Sequence, residues 1–202
     1  VWQEPLSALY AQRAQGQLRR QLLGVESAFG ATPAAPRRGG LRARLAADAR
    51  RLARRTHAGG ALGRLTIPSL GVRFVFVEGA GAASLRRGPG HYPGTALPGE
   101  AGTTAIAGHR TTFGKPFNRL DEVPAGAEVT LETPLGTCTY RVEDPAFVVT
   151  PDQVEVAAPT DHGQLTLTTC NPKGSARERL VLHAVLEGEP LLEDRGGRTP
   201  PD

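Results

Sequence analysis

The 202-residue sequence contains no methionine, so we expect that the chain does not begin at its natural initiator. It also has no window of about 18 uninterrupted apolar residues, which is the length that a membrane-spanning helix requires. Cysteine is scarce, and Cys138 and Cys170 could form at most one disulfide. Small secreted domains that depend on disulfides carry several pairs, so a disulfide framework is excluded while the compartment stays open.

Aromatic residues make up only 5% of the chain, whereas glycine and proline are abundant, with 25 and 17 residues. A chain of this length can bury one substantial hydrophobic core. Frequent turn residues favour a β protein with many short strands over a helical bundle. We therefore expect one globular domain with an appended segment.

Positive charge is concentrated at the start of the chain. Residues 1–60 contain 11 Arg and three acidic residues, a net charge of +8, whereas the remaining residues carry a net charge of −4. A basic segment of this kind is typical of an arm that lies near an anionic surface. It contains one Trp, one Tyr and no recognised nucleic-acid-binding motif, so no nucleic acid is expected as a partner.

The first part of this arm has the spacing of a helix from Pro5 to about Leu23, with Gly24 as a candidate end. Five residues recur at every fourth position: Leu6, Tyr10, Ala14, Leu18 and Leu22. These positions predict the apolar face of the helix.

Residues 28–40 are rich in Pro and Gly and predict a loop. Residues 41–55 predict a second, arginine-rich helix, which is either a solvated linker or a contact with a membrane surface. We interpret residues 1–60 as a basic, helical, membrane-proximal arm and linker.

Near residue 60 the pattern changes to short strands separated by Gly/Pro turns, and repeated short strands indicate a β-barrel or sandwich. We predict short helices near 82–86 and 116–122, and a flexible tail at 191–202. The domain between arm and tail is expected to span residues 61–190. Predicted strands lie near 63–67, 72–77, 103–108, 128–132, 137–149, 164–170 and 179–186.

Cys170 stands at the end of a strand with strict alternation. Leu165 and Leu167 point to one face, and Thr168 and Cys170 point to the other. If the leucines face the core, the thiol faces outward beside a Pro-Lys-Gly loop. An outward cysteine at a strand end is a candidate nucleophile, whereas a structural cysteine is expected on the leucine face.

Arg179 begins the next predicted strand and lies on the face opposite its leucines. The connection from Asn171 to Glu178 is short enough for antiparallel neighbours, which would bring Arg179 close to Cys170. A guanidinium remains charged and can hold a carbonyl oxygen that becomes an oxyanion. Arg177 is a rival for this role.

His109 ends a strand on the same face as Ala105 and Ala107, two small residues that leave room for a ligand. A histidine can exchange protons near neutral pH and is a candidate general acid and base. Spacing alone does not rank it above the other four histidines, which are His57, His91, His162 and His183.

Residues 88–123 and 165–186 resemble sortases, a family of cysteine transpeptidases, and especially the class E sortases of actinobacteria. The family signature Thr-Leu-X-Thr-Cys is matched by residues 166–170. The catalytic histidine of the family is matched by His109 in a Gly-His-Arg segment, and its arginine by Arg179 rather than Arg177. Residues 63–72 also resemble the first strands of the family, so that the similarity covers about residues 61–188.

The resemblance implies an antiparallel β-barrel with a few short helices. It also implies that Cys170 attacks a sorting signal of the Leu-Pro/Ala-X-Thr-Gly type between Thr and Gly and forms a thioester. His109 would transfer protons, and Arg179 would hold the oxyanion. Substrate-binding residues are expected at Phe113, Thr168 and Thr169, and no metal or cofactor is expected.

Further expectations follow from the resemblance. The acyl group would pass to an amine of a cell-wall precursor or a pilin, outside the cytoplasm, on a protein anchored by a membrane segment upstream of this chain. Class E sortases typically carry tyrosine directly after Gly-His-Arg-Thr-Thr, where this chain has Phe113. Cys138 is expected to be an incidental strand residue.

Two alternatives remain at this stage. One is a non-catalytic extracellular β-barrel that binds peptide or wall polymer, with an inert Cys170. The other is a cysteine hydrolase of a different lineage, which would gain nothing from an added amine.

Overall fold

A computed structural model describes residues 3–30, 48–49 and 51–188 of the chain. Most of the predicted loop at 28–40, part of the predicted helix at 41–55 and the predicted tail at 191–202 lie outside the described residues. Within the second predicted helix, residues 48–49 and 51–55 are helical.

The first helix, α1, spans Gln3–Gly30 and continues past Gly24, where the sequence predicted its end. An exposed glycine inside a helix costs only about 1 kcal/mol relative to alanine. Val25 and Phe29 lie beyond Gly24 and pack against the hydrophobic core. Their burial explains why the helix does not stop at Gly24.

The apolar face of α1 differs from the predicted one in its first half. Leu6 is 73% exposed and Tyr10 is 48% exposed, whereas Leu18 and Leu22 are fully buried. A strict i, i+4 repeat rotates by about 40° at each step around a helix of 3.6 residues per turn, so its two ends cannot share one face. The buried residues of the first half are Ser7, Ala11, Ala14 and Gln15.

The described residues after α1 form nine strands, and eight of them close into a barrel in the order β6-β5-β1-β2-β3-β4-β8-β9, with β9 pairing back to β6. The ninth, β7, pairs with the first part of β9, along the edge of β9 whose last part pairs with β6. The strands are β1 Ala61–Ile67, β2 Val72–Glu78, β3 Gly90–His91, β4 Gly102–Ala107, β5 Glu128–Thr133, β6 Gly136–Val142, β7 Phe147–Val149, β8 Gly163–Asn171 and β9 Glu178–Leu186.

The barrel predicted by the sequence is confirmed, but it is not wholly antiparallel. The β2–β3 and β4–β8 pairings are parallel, and the other pairings between described strands are antiparallel. The predicted strand at 137–149 is two strands, β6 and β7, with Pro145 between them. Proline has no N–H to donate to a sheet ladder and interrupts such a strand.

The predicted short helices are present in reduced form. The first is α2, Ala82–Leu85, and the second is only a 3-10 turn at Leu120–Glu122, preceded by turns. Inside the barrel, alternate residues of β8 and β9 are leucines that are almost fully buried, as their spacing predicted. Among the described residues, no helix is long and apolar enough to cross a bilayer.

Candidate active site

Cys170 lies at the carboxyl end of β8, on the face opposite Leu165 and Leu167. Both leucines belong to the barrel core, so the other face of the strand points outward. The thiol is half-buried and forms no disulfide. The structure therefore gives Cys170 the outward, strand-end position that its alternation predicted.

Arg179 is the direct partner of Cys170 in the antiparallel β8–β9 ladder. Directly opposed residues of such a pair have Cβ atoms about 4.5–5.5 Å apart on the same face. The Arg179 Nη1 atom donates to the carbonyl oxygens of Ala176 and Glu178, each at 3.0 Å. Arg177, by contrast, is exposed in the loop before β9 and belongs to no strand.

His109 reaches Cys170 through the neighbouring strand on the other side. Strand β4 runs parallel to β8 with Ala107 opposite Thr168, and the Gly108 N–H donates to the Thr168 carbonyl at 3.0 Å. Continuing this register by two residues sets His109 beside Cys170. Cys170 and Arg179 are thus paired in the β8–β9 ladder, and His109 lies two residues beyond Ala107, the last residue of the neighbouring β4.

Glycine is required immediately before His109. A Cβ atom at Gly108 would lie 2.5 Å from the ring of Phe117, which packs directly against this backbone. The His109 carbonyl also accepts a hydrogen bond from the Phe117 N–H at 3.2 Å. Phe117 therefore fixes the backbone path that leads from β4 to His109.

Burial lowers the pKa of His109, and the positive charge of Arg86 lowers that pKa further. This lowered pKa favours the neutral form of the imidazole. Its Nε2 atom is buried and has no hydrogen-bond partner within the part of the chain that the structure describes. A neutral imidazole with an unused ring nitrogen can accept a proton from a neighbouring thiol.

The other histidines lie elsewhere or have structural partners. His91 is buried, with Nδ1 at 2.9 Å from Glu78 Oε2 and Nε2 at 3.0 Å from the Ala96 carbonyl oxygen. His183 faces the ring of Phe147 at 5.1 Å and lies four residues along β9 from Arg179, a distance of about 14 Å at ~3.4 Å per residue. His57 and His162 are in loops outside β4, β8 and β9.

Of the predicted substrate-binding residues, Phe113 packs against His109, and the two ring centroids are 5.0 Å apart. Thr168 shares the face of Cys170, and its hydroxyl is 3.2 Å from the Tyr92 hydroxyl. Thr169 does not face the site, because it is 3% exposed and its hydroxyl donates to the Gly108 carbonyl at 2.7 Å. The structure therefore places the Thr169 side chain away from the face of Cys170, and a substrate contact by Thr169 stays a prediction.

Arg110 is a member of the site that the sequence reasoning missed. Its side chain is only 5% exposed, and it donates to Asp121 Oδ2 at 2.9 Å, to the Cys170 carbonyl at 3.4 Å and to the Asn171 side chain. Arg110 thus ties the segment that carries His109 to the end of β8. Its place directly after His109 in the Gly-His-Arg segment was the available signal.

Cys138 has none of the features of Cys170. It lies on β6, is 5% exposed and belongs to the barrel core. Burial raises the pKa of its thiol to about 11. Such a thiol is almost entirely protonated at neutral pH and is a poor nucleophile.

The site combines a thiol and a guanidinium on adjacent strands with an imidazole just beyond the end of a third strand. This set can form a covalent acyl intermediate, move the protons and stabilise an oxyanion without a metal. Among the described residues, no group of three or more His, Cys, Asp or Glu side chains could hold a metal ion.

A sortase-domain family profile matches residues 65–187. Sortase D of Bacillus subtilis is 32% identical over 128 residues, which cover 62% of this chain and 63% of that protein. Sortase SrtE1 of Streptomyces coelicolor is 32% identical over 133 residues, which cover 58% of this chain and 38% of that protein. The chain therefore spans less than two thirds of the length of these curated relatives.

The solved structure of sortase E from Streptomyces avermitilis superposes with a TM-score of 0.60 at 33% identity. The match covers 65% of this chain and 91% of that one. The expected likeness to class E sortases is thus found in both sequence and structure, with sortase D matching at equal identity to SrtE1. The profile match, the relatives and the closed barrel agree that this chain belongs to the sortase family.

Proposed function

We propose that this chain is a sortase transpeptidase that cleaves a Leu-Pro/Ala-X-Thr-Gly sorting signal between Thr and Gly and transfers the acyl group to an amine. The alignment of His109, Cys170 and Arg179 across β4, β8 and β9 carries this proposal. Cys170 and His109 are the catalytic nucleophile and the proton carrier, and Arg179 binds the carbonyl oxygen.

In the first half-reaction, the Cys170 sulfur attacks the threonine carbonyl carbon, and His109 takes the thiol proton. The carbonyl oxygen becomes an oxyanion, which the Arg179 guanidinium stabilises by charge and by hydrogen bonds. The carbon–nitrogen bond then breaks, and His109 gives its proton to the departing glycine amine. The product is a thioester between Cys170 and the threonine.

In the second half-reaction, an incoming amine attacks the thioester carbonyl carbon and gives a proton to His109. The carbon–sulfur bond breaks, the Cys170 thiolate leaves, and the proton returns to the sulfur. Water in place of the amine gives hydrolysis. The acceptor class that we propose is a cell-wall precursor or pilin amine, reached outside the cytoplasm by a protein that a segment upstream of this chain holds to the membrane.

The proposal is tested by incubating the protein with paired sorting-signal peptides, with and without an added amine, and resolving products by mass spectrometry. We expect an acyl-enzyme on Cys170 and an amide product whose yield rises with amine concentration. Cleavage that gives only the hydrolysis product, with no amide product at any amine concentration, would identify a hydrolase instead. The absence of both cleavage and acyl-enzyme would favour the non-catalytic barrel.

Substrate choice is proposed to depend on Phe113, whose ring lies beside His109. A tyrosine hydroxyl here could accept a hydrogen bond from the backbone N–H of an alanine in the signal, an N–H that proline lacks. One such bond contributes about 0.5–1.5 kcal/mol, or roughly 2- to 13-fold. We expect this chain to process the proline and alanine peptides at comparable rates.

Phe113→Tyr should shift the ratio of kcat/KM for the two peptides toward alanine by about that factor. Because both peptides are compared with the same protein preparation, differences in the fraction of active enzyme cancel from the ratio of kcat/KM. A strong alanine preference in the native protein that Phe113→Tyr leaves unchanged would locate the selectivity elsewhere in the groove.

A further inference from the structure

The loop that carries Phe113 has an unusual backbone. Phe113, Gly114 and Lys115 have φ angles of +49°, +82° and +51°. The left-handed region is unfavourable for residues with a Cβ atom, so two of these three residues are strained. Strain of this kind persists only where surrounding contacts impose it, and such positions cluster at functional sites.

Backbone hydrogen bonds on both sides of Lys115 support this conformation, and one of them runs from the Asn118 N–H to the Lys115 carbonyl at 3.1 Å. The Lys115 N–H donates to the Thr112 carbonyl at 3.0 Å and closes a turn. Two more distant parts of the chain also pack against the loop. They are the ring of Phe74 on β2, which would lie 3.2 Å from a Cβ atom at Gly114, and the N-terminal half of α1.

Three residues on one side of α1 contact the strained loop. The Ser7 hydroxyl oxygen accepts a hydrogen bond from the Phe113 N–H at 3.3 Å. The Tyr10 ring meets the Phe113 ring edge-on, with centroids 5.9 Å apart and an interplanar angle of 80°. The Ala11 methyl group lies so close to Gly114 that a Cβ atom there would be 3.4 Å from it.

The Phe113 ring, which these contacts hold in place, packs against His109, the residue that carries the proton in the proposed mechanism. The Phe113 ring lies against His109 with centroids 5.0 Å apart and an interplanar angle of 40°. A continuous line of contacts therefore runs from Ser7 and Tyr10 through Phe113 to the imidazole. Its origin, α1, lies outside the residues that match the sortase domain.

We propose that the N-terminal half of α1 is part of the catalytic apparatus, with Ser7 and Tyr10 as positioning residues that hold Phe113 against His109. The expected effect on kcat rests on the transpeptidase function proposed above. The contact orients the imidazole and keeps water from one of its sides. Without it, the loop relaxes from its left-handed conformation and the ring moves away from His109.

Tyr10 offers a sharp test because it is half-exposed, so that its loss should change the contact without unfolding the helix. We expect Tyr10→Ala to lower kcat for acylation by about tenfold with KM within about twofold, since a misplacement of about 1 Å can cost on the order of 10²-fold. Tyr10→Phe keeps the ring and should restore the native rate. Leu23→Ala, an exposed truncation further along α1, is the matched control and should be silent.

The second readout is the titration of His109 by NMR in the substrate-free protein. Because burial lowers the pKa of His109, loss of the ring cover should raise that pKa toward 6.5 in Tyr10→Ala and in Ser7→Ala. Arg86, directly after α2, also lowers the pKa of His109, and the other neighbouring charged or titratable groups are Arg110, the next residue in the chain, and Cys170 at the end of β8. None of them is altered by these variants.

The outcomes separate the two proposals. Native kcat and an unmoved His109 pKa in Tyr10→Ala and Ser7→Ala, in a protein that forms acyl-enzyme, would overturn the positioning role alone. A shifted His109 pKa in a protein that acylates no peptide would support the contact and refute the transpeptidase function. An equal loss of kcat in Leu23→Ala would reduce the effect to general helix stability and overturn the inference.

Discussion

The two cysteines should differ in reactivity by a margin that follows from their surroundings. Burial raises the pKa of the Cys138 thiol from 9.0 to about 11, which lowers its thiolate population about a hundredfold at neutral pH. Because the thiolate is the reacting form and the side chain is almost inaccessible, alkylation at Cys138 should be slower by at least about that factor. Cys170 is half-buried at a strand end and open to reagent.

The assay is a time course of iodoacetamide labelling of the folded protein near neutral pH, followed by intact mass and peptide mapping. We expect one label per molecule, on Cys170, while Cys138 stays unmodified until the protein is unfolded by denaturant. Cys170→Ala should take up no label under native conditions. Equal labelling of both cysteines in the folded protein would refute the burial argument.

Substitutions of the two cysteines should affect catalysis and stability differently. Cys170→Ala should abolish acyl-enzyme formation with little change in Tm. Cys138→Ala should retain most of the activity and lose about 1 kcal/mol of unfolding free energy, because it removes one buried atom of roughly methylene size from the core. A Cys170→Ala protein that still transfers the acyl group would end the proposed mechanism.

Three further predictions concern the remaining residues. His109→Ala should slow transpeptidation by roughly 10²–10⁴-fold in steady-state assays, whereas His183→Ala should stay near the native rate; a reversed order would show that the wrong histidine was chosen. Arg179→Ala should raise the activation barrier of transpeptidation by about 3–4 kcal/mol, and the rate of Arg179→Lys should remain well below the native rate. Arg177→Ala should have almost no effect on the rate, and equal losses in both alanine variants would contradict the strand register. Leu18→Ala should cost about 2–5 kcal/mol in denaturant titrations because Leu18 is fully buried between α1 and the barrel, and a cost below about 0.5 kcal/mol would mean that α1 is an independent arm.

Local periodicity was sufficient for much of the barrel and of the site. In β8 and β9 the two-residue alternation assigned the leucines to the core and Cys170 and Arg179 to the outer face, and the β8–β9 ladder pairs these two residues directly. That prediction needed only the geometry of a strand and a short connection. The choice of His109 among five histidines came from the family resemblance, because spacing alone did not rank them.

Other features depend on contacts between distant parts of the chain. The parallel β4–β8 pairing that brings His109 to Cys170 joins residues about sixty positions apart, and no local pattern encodes it. Only its place directly after His109 marks Arg110 in the sequence, and its hydrogen bonds to Asp121 and to the end of β8 are seen only in the tertiary structure.

The sequence by itself determined the short strands of the barrel, the faces of those around the site and the residues able to do chemistry, because these depend on side-chain alternation and residue type. It also predicted α1 as a helix but treated it as a separate arm. Only the tertiary structure decided which side of α1 is buried and that its N-terminal half reaches Phe113. The reason is that a helix with moderate apolar content has several faces of similar character, and the surface it packs against selects one of them.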